Sequence, residues 1–86
     1  MVSPGALKRV RDALFRELIL PGDTGFWGVG VGDNEVILYY DESRAVRRVN
    51  PPSIYVVGGE AVRIRIVKAP MPKAIKNRLK QTPNKP

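Results

Sequence analysis

The chain predicts an α+β fold: an N-terminal helix packed on a small, mainly antiparallel sheet of about four strands (order α-β-β-α-β-β), followed by a basic C-terminal arm. Three observations predict it. Apolar residues recur at helical spacing near the N-terminus, at Leu7, Val10, Leu14 and Leu18. They recur at a spacing of two in 26–41, FWGVGVGDNEVILYYD, and in 61–68, AVRIRIVK. The length, 86 residues, allows one domain near the lower limit for a self-sufficient core.

The helix opens at Ser3-Pro4. Serine is a good N-cap and proline is favoured at the first helical position. Ala6 and Ala13 accompany the leucine stripe, and Phe15 and Ile19 widen it. Lys8, Arg9, Arg11, Asp12, Arg16 and Glu17 fill the other side, with Asp12 and Arg16 spaced for an i,i+4 ion pair. Pro21-Gly22 stops the helix near Leu20. The reading is a helix laid on the sheet; its wide apolar face beside four bases also fits a dimerisation helix or one lying on a membrane surface.

A short polar turn, 22–25, leads into the hairpin. Gly32, Asp33 and Asn34 tolerate the backbone of a tight turn. Before it, Trp27, Val29 and Val31 share one face, and Gly28, Gly30 and Gly32 the other. After it, Val36, Leu38 and Tyr40 alternate with Glu35, Ile37, Tyr39 and Asp41. That second strand is apolar on both faces, as expected of a central strand. The glycines do not make a dinucleotide fingerprint: the third position falls on Asp33 or Glu35, and a strand follows instead of a helix. They leave a flat strip that a helix backbone can approach.

Asp41 is placed to cap a second helix over 42–49, with Ala45, Val46 and Val49 inward and Arg44, Arg47 and Arg48 outward. Asn50-Pro51-Pro52 ends it. A short strand, 54–57, and a Gly58-Gly59 turn precede the last strand, 61–68. There Val62, Ile64 and Ile66 point to the core, and Arg63 and Arg65 point away. The expected core is Trp27, Val29, Val31, Val36, Leu38, Val62, Ile64 and Ile66 with Leu7, Val10, Leu14 and Leu18. The domain is expected to span 1–68. Residues 69–86, with four prolines and five bases, are expected to form a flexible arm that a partner would order. Ile75 and Leu79 share one side of a short helical stretch within it.

Composition excludes much chemistry. There is no cysteine and no histidine, so disulfides, thiolate metal sites and the usual general base are all ruled out. Ser3, Ser43 and Ser53 have no histidine to activate them, and no Ser-x-x-Lys spacing occurs. The expectation is a protein that is not an enzyme and needs no metal or cofactor. No apolar run approaches the roughly 20 residues of a membrane span, and the start lacks a signal-peptide layout. A cytoplasmic location without membrane contact fits. Nine arginines against six lysines, with no cysteine and one glutamine, suit a thermophilic source.

Charge is unevenly distributed. Residues 1–60 carry seven bases and all eight acids, whereas 61–86 carry eight bases and no acid. The leading expectation is non-enzymatic binding of DNA or RNA phosphates by Arg63, Arg65, Lys68, Lys73, Lys76, Arg78 and Lys80. Arg63 and Arg65 would stand about 7 Å apart on one face of a strand, near the spacing of successive phosphates. Four such contacts give a log K against log salt slope of about −3 to −4. Tyr39 and Tyr40 could add a stacking surface. Bases on one face also blunt an edge strand, which explains them without a ligand. The alternative is a protein-interaction module that docks, or self-associates, through the helix or an edge strand.

Gly28-Val29-Gly30-Val31-Gly32, the strand 36–39 and the stretch 59–66 carry a resemblance. In their order the chain, over 20–68, resembles the small glycine-rich α/β module found in front of some trypsin-like peptidase domains of bacteria and archaea, and also on its own. In that family the module holds no catalytic residues, and no peptidase domain follows it here. The resemblance therefore implies no peptidase activity, and the basic arm lies outside it.

Overall fold

The computed structural model describes residues 2–72 of the 86. An α-helix, α1 (Pro4–Leu14), runs into a π-helical turn, Phe15–Ile19. Four strands follow: β1 (Thr24–Gly32), β2 (Glu35–Ala45), β3 (Ile54–Val57) and β4 (Glu60–Lys68). They form one mixed sheet in the order β1-β2-β4-β3. The outer pairings are antiparallel, and the central one, β2 with β4, is parallel. The α+β class holds.

The helix starts as the sequence dictates. Ser3 Oγ accepts the Ala6 N–H at 3.2 Å. A capping box would place a glutamate at Ala6, three residues on, to reach back to the cap's own N–H. Here Glu60 supplies that carboxylate from the start of β4, accepting the Ser3 N–H at 2.7 Å and the Ser3 hydroxyl at 2.9 Å. These bonds hold the Glu60 carboxyl below the usual carboxylate range, the backbone bond most of all. After Leu14 the ladder widens: the Leu20 N–H donates to the Phe15 carbonyl, five residues back. Leu18 stays buried, while Phe15 is exposed. Asp12 bonds its neighbour Arg11 at 3.0 Å rather than the expected Arg16, which lies in the widened turn.

One face of the sheet packs on α1. Val10, Leu14, Val36, Leu38 and Val62 are completely buried, and Leu7, Leu18, Phe26 and Ile64 nearly so. Burying a side chain of this size stabilises by about 1.5–3 kcal/mol, so this layer carries the fold.

Three expectations about the core need correction. Trp27 is not in it. Register shifts between Thr24 and Phe26 and between Phe26 and Gly28 break the alternation, so Phe26 turns inward. Val31 lies at the outer edge of β1, 46% exposed. Ile66, 45% exposed, lies beyond the helix in a groove with Phe26, Tyr40, Val49 and Pro51.

The second helix is absent. Residues 42–45 continue β2 and Ala45 pairs with Thr24. Asp41 does bond the Ser43 N–H, as a cap would, at 3.0 Å. However, the N–H groups of Val46 and Arg47 go to the Asp23 carbonyl, at 2.8 and 2.9 Å. The Arg47 guanidinium also grips the Asp23 carboxylate at 3.1 Å. That hydrogen bond holds the carboxyl of Asp23 below its usual range and raises Arg47. A distant strand end has taken the donors that a helix would have used.

Candidate nucleic-acid interface

The face of the sheet opposite α1 has no element packed on it among the described residues. Strand alternation decides what it shows. Register places Tyr39 beside Val67, Ile37 beside Arg65 and Glu35 beside Arg63, with Ile54 next to Arg63 on the far side. Successive rows are about 7 Å apart. The face therefore grades from aromatic at one end to charged at the other.

The aromatic end rests on the glycines. Gly28 pairs with Tyr39 and Gly30 with Ile37. A Cβ at Gly28 would lie 3.4 Å from the Tyr39 ring, and one at Gly30 3.7 Å from it. The strip read as room for a helix is instead filled by this ring lying across β1. Trp27, displaced by the bulge, stacks on Tyr39 with ring centroids 5.3 Å apart and planes 28° apart. Its indole N–H donates to the Ala69 carbonyl at 2.9 Å. Tyr40 turns the other way and packs on Phe26, at 4.8 Å. Of the two tyrosines, only Tyr39 belongs to this face.

Arg63 and Arg65 stand on this face and are exposed. Arg65 is tied to Glu35 at 3.2 Å, which offsets its charge. Arg63 has no ion-pair partner among the described residues. Lys68, at the end of β4, lies 3.8 Å from Glu42. Lys73, Lys76, Arg78 and Lys80 lie outside the described residues. The chain stays attached beyond Lys68: the Ala69 N–H donates to the Tyr40 carbonyl, and the Met71 N–H donates to the Asp41 carboxylate at 3.0 Å. Met71 is buried.

Sequence reasoning missed Trp27, Ile37 and Val67 as surface of this face. The one available signal was glycine at alternate positions across from Tyr39, which leaves a bulky ring nowhere to lie but on the bare strand. Chemically, the arrangement offers a stacked aromatic pair, an apolar middle and a guanidinium pair. No helix among the described residues is long and apolar enough to cross a membrane. No family model, no curated protein and no solved structure matches the chain.

Proposed function

We propose that the chain binds single-stranded nucleic acid across the open face of its sheet. Bases would stack at Tyr39 and Trp27, and phosphates would meet Arg63 and Arg65. The arm bases Lys73, Lys76, Arg78 and Lys80 would extend the contact, whereas Lys68, level with Tyr40, lies on the helix side of the sheet and is left out of it. The observation that carries the reading is a sheet face that no element among the described residues covers, presenting an aromatic stack beside arginines on a neighbouring strand. Sequence-tolerant recognition of single strands uses this pairing of π-face and cation. A duplex keeps its bases stacked on one another and would meet only the cations. A second reading, docking of a protein, draws on Ile54 and Val56, which expose 56% and 65% of their surface on the same face.

Trp27 is the only tryptophan, so its fluorescence reports the stack directly. Titration with single-stranded RNA should quench it, with a log K against log salt slope of about −3 for four phosphate contacts. Neutralising Lys73, Lys76, Arg78 and Lys80 in the full chain should flatten that slope. Absence of binding at low salt, or equal affinity for duplex DNA without quenching, rejects the reading. Salt-insensitive capture of a protein would favour the second.

A further inference from the structure

The two edges of the sheet are unlike. β3 is four residues long and follows Pro51-Pro52. β1 is nine residues, TGFWGVGVG, with no charge and no proline. Its bulges lie before Gly28, so 28–32 is a regular ladder against β2. Shortness, charge and proline are the usual means of blunting an edge. β3 has the first, and the outer side of β1 has none.

The backbone direction along β1 follows from one bond. The Ala69 N–H donates to the Tyr40 carbonyl, so Tyr40 directs its backbone groups towards the β4 side. Groups alternate along a strand, so Glu35, Ile37 and Tyr39 direct theirs to β1, onto Gly32, Gly30 and Gly28. Val29 and Val31 are therefore the residues whose N–H and C=O point outward, and no strand lies there among the described residues.

We propose that a second copy of this chain occupies this edge: β1 pairs antiparallel with its equivalent about a two-fold axis at Gly30, joining two four-stranded sheets into one. The register is self-complementary. Val29 stands opposite Val31 of the partner subunit, and Val31 opposite Val29, each pair exchanging both its N–H···O bonds. On the helix side these are β-branched cross-strand pairs, which favour sheet association, and Val31 loses its exposure. On the other side only glycines meet. Gly30 faces its own equivalent at a position where Cα atoms approach to about 4.5 Å, and neither strand places a Cβ there. The axis runs perpendicular to the sheet, so both Tyr39–Trp27 stacks lie on one continuous face. The pairing itself does not depend on nucleic acid.

Sedimentation equilibrium of the full chain should give twice the 9.6 kDa chain mass and a reversible, concentration-dependent dimer. The Val31 N–H points away from β2 and bonds no other strand among the described residues, so Val31→Pro should yield a folded monomer by circular dichroism. Val31→Lys at the same exposed edge serves if the proline variant does not fold. Amide exchange should show Val29 and Val31 protected in the dimer and fast in the monomer, with Gly30 and Gly32 protected in both. A wild type that stays monomeric at high micromolar concentration overturns the proposal. So does a dimer that survives both substitutions, or one whose Val29 and Val31 amides exchange fast.

Discussion

The face of the sheet under α1 carries Val36, Leu38, Val62 and Ile64, all buried, whereas the opposite face of the same two strands carries Glu35, Ile37, Tyr39, Arg63 and Arg65, all reached by solvent. Neighbours in the chain thus belong to different tasks. In AVRIRIVK, Val62 and Ile64 are buried and stabilise the domain, and the arginines beside them add nothing to its core. A residue's parity along the strand, more than its place in the chain, separates the buried face from the open one.

The sharpest way to break this division is to cut the buried face. Leu38→Ala removes a fully buried side chain and should cost about 2–5 kcal/mol. A thermal melt should then fall by at least about 8 °C, while RNA affinity measured well below the transition stays unchanged. Gly25→Ala comes next. Gly25 has φ +88°, and a Cβ there would lie 2.7 Å from the Tyr40 ring and 2.9 Å from the Asp41 carbonyl. We expect a loss of about 1–3 kcal/mol by chemical denaturation.

On the open face the effects should invert. Tyr39→Ala should weaken RNA binding about tenfold, within the 1–3 kcal/mol of a base–aromatic stack, and abolish quenching of Trp27 while the melt moves little. Arg63→Ala should reduce the magnitude of the salt slope by about 0.7 and leave stability within about 0.5 kcal/mol. A large stability loss in either variant would erase the contrast between the faces.

The smallest effect belongs to Glu60, whose carboxyl the Ser3 N–H and hydroxyl hold below the usual range. A depressed pKa contributes stability above the ordinary carboxylate range and loses it as pH falls through the depressed value. Glu60→Gln should therefore lower the Tm slightly at neutral pH, and the gap to the parent should close in acid. A gap that persists unchanged at acid pH would show that the carboxylate's charge is irrelevant to the cap.

The helix, the hairpin and the last strand were legible because each is written in local periodicity: Leu7 to Leu18 at helical spacing, Val36 and Leu38 at two, Val62 and Ile64 at two. The expected helix over 42–49 failed because its decisive bonds are not local. Asp41 looks like a cap and even makes the i+2 bond of one, but Asp23, just before the neighbouring strand β1, takes the Val46 and Arg47 donors. Trp27 was misplaced because a bulge advances the register by one residue, and Gly25 alone does not announce it. On the candidate interface, Arg63 and Arg65 were read from alternation, whereas the pairing of Arg65 with Glu35 depends on a parallel register that no sequence pattern specifies.

The placement of β4 has a kinetic consequence. It comes last of the four described strands in chain order, yet it sits between β2 and β3. Until it arrives, β3 has no partner, Val36 and Leu38 lack their neighbours Ile64 and Ile66, and the N-terminal cap lacks Glu60. A helix and a hairpin can form early, but the sheet closes only when residues some thirty apart in the chain meet. Such non-local closure is slow relative to helix formation. Closure of the sheet therefore waits on β4, and one edge of β2 stays open until that strand inserts.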